Sequence, residues 1–102
     1  MTKIKFFANN QGFEITGHSS TDCNDENGRL ICASVSSAAY MAANTITEIV
    51  KDEAKAVVSE AKMLVKIENP SDKTKVVLAG LQLHFTELAK EYPNNIHVIS
   101  EV

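Results

Sequence analysis

The 102-residue chain contains no tryptophan, two prolines, four glycines and two cysteines, and 6% of it is aromatic. Each scarcity excludes something. So little proline and glycine rules out a low-complexity linker. Apolar residues at 44% against 23% charged leave enough apolar surface to offset chain entropy. With few aromatics, a core must rest on Val, Ile, Leu and Ala. Cys23 and Cys32 are too few for a disulfide framework, so free thiols in a reducing cytoplasm are expected. No stretch approaches the ~20 apolar residues of a bilayer span. The start, Met1-Thr2-Lys3-Ile4-Lys5, alternates charge with apolar residues instead of building the apolar block of a signal peptide. No membrane contact is therefore expected.

Positive charge is also scarce. The net charge is −3, and the ten basic residues are scattered along the chain with no visible basic run. That excludes an obvious nucleic-acid binder, so no direct nucleic-acid contact is expected. The length allows one domain, residues 1–102, with one small core.

What is present is periodicity. Thr2–Ala8 carries Ile4, Phe6 and Phe7, followed by the turn Asn9-Asn10-Gln11-Gly12, and Phe13–Gly17 repeats at period two. This reads as a hairpin. The polar run His18–Gly28 reads as a surface loop. From Leu30 the period becomes 3.6, with Ile31, Val35, Ala38, Ala42, Ile46 and Ile49 on one stripe, and this predicts a helix ending near Asp52. Ala54–Glu60 and Lys62–Ile67 read as short strands, with Ala56, Val58, Leu64, Val65 and Ile67 as their apolar positions. Asn69-Pro70-Ser71-Asp72 caps a second helix over about 73–92, whose buried stripe is Val77, Leu81, Phe85 and Leu88. Ile96–Glu101 closes the chain as a strand, with Ile96, Val98 and Val102 turned inward. The predicted fold class is α+β, order ββαββαβ, with a mixed or antiparallel sheet carrying two helices.

No phosphate loop, CxxC pair or HExxH helix occurs. What remains is one thiol, one imidazole and the loop between them. Cys32 is expected in the first turn of its helix, where the dipole and unpaired N–H groups favour an anion and lower a thiol pKa. Its place on the shoulder of the stripe predicts partial accessibility. His18, at a strand end, is the base a cysteine nucleophile needs. The backbone N–H groups of Cys32 and Ala33 offer donors to an oxyanion, and Ser36 lies one turn further along. By position alone each has a plainer reading. A lone helical Cys is more often a small core hydrophobe, His18 a turn residue and Ser36 a tolerated small residue. His18, Cys23 and Cys32 match no zinc spacing, so no metal or cofactor is expected. His84 and His97 read as structural. Tyr40 and Met41 project off the stripe as a dimer surface would.

Gly17-His18-Ser19, a polar loop and then Leu30-Ile31-Cys32-Ala33-Ser34-Val35-Ser36-Ser37 together resemble the ribosomal-processing cysteine protease family (Prp). The resemblance extends to length and element order. It implies a small homodimeric cytoplasmic endopeptidase that removes the N-terminal extension of a large-subunit ribosomal protein, cutting after a Phe-Phe-type sequence. Carried over, it makes Cys32 the nucleophile, His18 the base and Ser36 the family's serine after Cys-Ala-x-Val. Two departures stand out. Arg29 replaces the family's Asp three residues before the Cys, leaving Asp22, Asp25 or Glu26 as stand-ins or a bare Cys-His pair. The loop is also longer and carries Cys23, whose pairing with Cys32 would be regulatory. Two other readings follow from these departures: a non-catalytic ribosome-associated or partner-binding module of the same fold, and a thiol redox protein.

Overall fold

The computed structural model describes residues 1–17 and 25–101. His18, Asp22, Cys23 and Val102 lie outside the described residues. Five strands form one sheet: β1 (Thr2–Phe6), β2 (Gly12–Thr16), β3 (Lys55–Ser59), β4 (Lys62–Lys66) and β5 (Ile96–Ser100). Two long helices, α1 (Glu26–Asn44) and α2 (Asp72–Glu91), complete the predicted order. The spatial order is β3-β4-β2-β1-β5. β1 runs parallel to β5 and antiparallel to β2, so the sheet is mixed.

Register explains the layers. In an extended strand successive side chains point to opposite faces. Ile4 faces Ile15, Phe6 faces Phe13, and Phe13 and Ile15 face Val65 and Met63, so the buried residues line one side. α1 presents Ile31, Val35, Ala39 and Ala42 to that side, the turn after it presents Ile46, and α2 presents Leu78, Leu81 and Phe85. The Phe6, Phe13 and Phe85 rings meet at centroid distances of 6.0 and 6.3 Å. The opposite face of the sheet carries Lys3, Lys5, Glu14, Lys62 and Lys66, and among the described residues no helix lies on it.

Turn chemistry fixes the hairpin. Asn9 and Asn10 take positive φ of 60° and 56°, which asparagine tolerates better than most residues. At Gly12, with φ +117°, any Cβ would lie 1.9 Å from the Val65 carbonyl oxygen, so only glycine lets β2 approach β4 there.

Several boundaries differ from expectation. α1 begins at Glu26, four residues before Leu30, because Asp25 accepts a hydrogen bond from the Gly28 N–H at 2.6 Å and caps the helix. Its end loosens into a π-helical stretch, Thr45–Val50, and Lys51 stops it in the left-handed region at φ 66°. Ile49, expected on the stripe, is 76% exposed, because the wider π turns rotate it out of register. Ala56 and Val58, expected inward, are exposed, because β3 is an edge strand beyond the reach of the helices. In α2 the burial falls on Leu78 and Thr74, while Val77 and Leu88 pack only at the core's margin. The joined helix Glu26–Val50 reaches spanning length, and an 18-residue window of it has a mean hydropathy of 1.2, although no such apolar stretch is expected from the sequence. Here its apolar stripe is spent on the sheet.

Candidate active site

Of the two motif halves, the described residues are Gly17, directly after β2, and Leu30–Ser37 on α1. β2 ends at Thr16, and Gly17 turns the chain at φ +75°. A Cβ on Gly17 would lie 2.1 Å from the carbonyl oxygen of Met1. The glycine before His18 is therefore required by the close approach of the N-terminal strand, not only by the turn. His18 itself lies outside the described residues.

Cys32 lies on α1, seven residues after the Asp25 cap. That places it in the second turn, not the first. Its N–H and that of Ala33 fall within the i→i−4 ladder rather than among the four orphan donors of the helix start. The two backbone donors expected for an oxyanion are thus engaged in the helix, and the dipole's pull on the Sγ is weaker than at the terminus. Cys32 is also more covered than its shoulder position suggested, at 8% exposure. It is disulfide-bonded in this structure, contrary to the expectation of free thiols. Cys23 lies outside the described residues.

The remaining candidates sit nearby on the same helix. Ala33 is exposed and Ser36 half-buried, one turn beyond Cys32. Arg29 is exposed, and its N–H donates to the Asp25 carbonyl at 2.8 Å. Asp25 accepts from the Gly28 N–H through Oδ1, the bond that caps the helix. Glu26, in the first helical turn, is exposed and favourable to the dipole there. His84 packs its ring 6.0 Å from that of Phe85, and His97 points outward, both as expected of structural histidines. Among the described residues no cluster of three metal-ligating side chains occurs.

Two clefts lined by described residues do not include Cys32. One, about 740 Å³, runs between α1 and α2, from Ser34 and Met41 to Val76, Leu81 and His84. Another, about 830 Å³, lies at the far end of α1 around Lys51, Asp52 and Asn69. Sequence reasoning missed the anchor of that end. Asp52 accepts from the Ser71 N–H and hydroxyl, both at 2.8 Å, and from the Thr74 hydroxyl. The signal was a carboxylate following a predicted helix end and a Ser-Asp-x-Thr cap twenty residues later.

The profile of the family described as cysteine protease Prp matches residues 1–97. The chain belongs to the cysteine protease Prp family. No curated protein matches it. Among solved structures, SMU.848 from Streptococcus mutans shares 22% identity, with 99% of this chain and 97% of that one covered and a TM-score of 0.85. The essential ribosomal processing protease Prp from S. aureus, in complex with a substrate peptide, shares 14% identity at a TM-score of 0.86, covering 99% and 100%. The same protease with a covalently linked product peptide shares 15%, with the same coverage and a TM-score of 0.78. These likenesses place the α+β fold with the Prp structures. The Prp family is a cysteine protease family, and Cys32 and Cys23 are the only cysteines available to this chain.

Proposed function

We propose that this chain is a ribosomal-processing endopeptidase that removes the N-terminal extension of a large-subunit ribosomal protein, with Cys32 as nucleophile and His18 as base. The observation that carries the reading is the family match over residues 1–97, which spans both the Gly17-His18 turn and the Cys32 helix. The Prp structures from S. aureus with substrate and product peptides support a peptide as substrate.

His18 takes the proton of the Cys32 thiol, and the thiolate attacks the scissile carbonyl carbon. The tetrahedral adduct collapses to a thioester as His18 returns the proton to the leaving amine. Water, deprotonated by the same imidazole, then hydrolyses the thioester. The competent form is the reduced one, because a sulfur held in a disulfide is no nucleophile. Ser36, one turn from Cys32, is positioned to support the substrate or the thiolate. No metal or organic cofactor takes part in this scheme.

The same reading has the enzyme working as a homodimer in the cytoplasm. Exposed Tyr40 and Met41, and the apolar groove between α1 and α2, support a self-association surface. A second reading, a non-catalytic partner-binding module, is favoured by Arg29 at the family's Asp position and by the helical engagement of the Cys32 and Ala33 amides.

The test is cleavage of a synthetic peptide carrying the ribosomal protein's own extension, followed by mass spectrometry under reducing conditions. One cut after the paired aromatic residues is expected, and Cys32→Ala should abolish it while keeping the circular dichroism spectrum. An uncut peptide, alongside cutting by an established Prp, favours the module.

A further inference from the structure

The scattered lysines of the sequence become one surface in the fold. The face of the sheet opposite the helices carries Lys3 and Lys5 on β1, Lys62 and Lys66 on β4 and Lys55 on β3. These are five of the ten basic residues in the chain. Its carboxylates are Glu14, paired with Lys62 at 3.2 Å, and Glu101, paired with Lys5 at 3.2 Å. The face therefore carries about +3, leaving about −6 on the rest of a chain whose net charge is −3. Lys3, Lys55 and Lys66 make no ion pair among the described residues.

Apolar surface is interleaved with this charge. Ile99, Lys5, Glu14, Leu64 and Val57 are successive partners across all five strands. Val57 is 55% exposed and Ile99 39%. The half-buried Phe7 ring lies under the Lys5 ammonium, 5.9 Å from Nζ to the centroid.

We propose that this open sheet face binds single-stranded RNA. Strands about 4.8 Å apart and residues of one face about 6.7 Å apart along each strand set the lysines on a grid over a platform roughly 19 Å wide. A polyanion tracking across that platform neutralises the unpaired lysines, while bases stack on Phe7 and lie against the Ile99–Leu64–Val57 row. A second copy of the chain does not fit, because face-to-face stacking opposes lysine to lysine. A duplex is disfavoured because, among the described residues, no helix or ribbon projects from the face to enter a groove. The face lies across the sheet from α1, so binding there does not touch Cys32 and is independent of the proposed protease reaction. The overall acidity concealed this surface, since most of the carboxylates lie off it, although Asp52, Glu53 and Glu68 line the cleft that Lys55 and Lys66 border at its edge.

The experiment is fluorescence anisotropy of a labelled 20-nucleotide oligouridylate with the full chain over a salt series. With the three unpaired lysines engaged, affinity should fall roughly twentyfold between about 50 and 200 mM salt. Lys3→Gln/Lys55→Gln/Lys66→Gln should weaken binding at least tenfold at the low-salt end, and lower the slope of log K against log salt by ~2. It should leave peptide cleavage and melting temperature near the parent values. The control Lys73→Gln/Lys75→Gln/Lys90→Gln, on α2, should bind like the parent. Any of three results overturns the proposal: no binding by the parent, equal binding by the sheet variant, or equal loss in the α2 control. Displacement of the RNA by polyglutamate or by phosphatidylserine vesicles as readily as by unlabelled oligouridylate also overturns it, assigning the face to acidic peptides or lipid.

Discussion

The Thr74 hydroxyl donates to Oδ2 of Asp52 at 2.5 Å, joining the exit of the first helix to the first turn of the second. The same oxygen accepts from the N–H and hydroxyl of Ser71, the cap of α2. One carboxylate thus fixes the positions of both helices over the sheet.

These donors hold the Asp52 carboxyl below its ordinary value, the Thr74 hydroxyl most strongly, then the Ser71 amide and the Ser71 hydroxyl. A carboxyl depressed in the folded state stabilises the fold above the unfolded carboxylate pKa and loses that contribution as pH falls through the folded value. Asp52→Asn is expected to melt below the parent at pH 7 and to show a smaller drop between neutral and acid pH. Thermal melts from pH 7 to pH 3 check this. Some acid sensitivity should persist, because Glu101 is likewise depressed, by the Ala8 N–H first and by Lys5. Identical acid limbs in variant and parent would remove Asp52 from the account.

Gly17→Ala places a methyl group 2.1 Å from the Met1 carbonyl oxygen, on backbone at φ +75°. The expected cost is roughly 1–3 kcal/mol, combining left-handed strain with displacement of the N-terminal strand. Denaturant unfolding measures it. Because His18 follows directly, peptide cleavage should fall more than the folded fraction does at the assay temperature.

Cys32 is disulfide-bonded in this structure, and the proposed nucleophile is its reduced form. Peptide cleavage is therefore expected to be absent in oxidised protein and to appear on titration with dithiothreitol. Alkylation of the reduced protein with iodoacetamide should remove it. Cys23→Ser should be active without reductant. Cleavage independent of reductant in the parent would count against Cys32 as the nucleophile.

Phe85 is fully buried and touches Phe6 at 6.3 Å between centroids. Phe85→Ala is expected to cost about 3–5 kcal/mol, by lost burial and by the cavity left between α2 and the sheet. Urea unfolding checks the figure. Phe85→Leu should recover more than half of the loss, since much of the volume returns.

Much of the fold was legible in the sequence because two periods carry it. Alternation at Ile4/Phe6 and Phe13/Ile15 named the core side of the hairpin, and the 3.6-residue stripe from Ile31 to Ile46 named the core side of α1. Where the reading slipped, a neighbour decided. Ala56 and Val58 are as apolar as any inward pair, yet β3 has no helix above it. Thr74 is polar, yet it is fully buried because Asp52 satisfies its hydroxyl. At the candidate site, the Gly-His and Cys-Ala-x-Val-Ser segments were readable as motifs. The depth of Cys32 was not, because it depends on where the helix starts, and an Asp25 cap five residues upstream of Leu30 moved it into the second turn.

The sequence by itself determined the element order, the core side of the β1–β2 hairpin and of α1, and the membership of Cys32 and His18 in one motif. Local period and residue type are enough for these. Only the tertiary structure decided which residues far apart in the chain become neighbours. Asp52 meets Thr74 because two helix ends converge, and Lys3 and Lys5 share a surface with Lys55, Lys62 and Lys66 because β2 brings β4 and β3 alongside β1. Charge in a sequence is a sum, whereas charge on a folded surface is a position, and the sheet is what supplies the position.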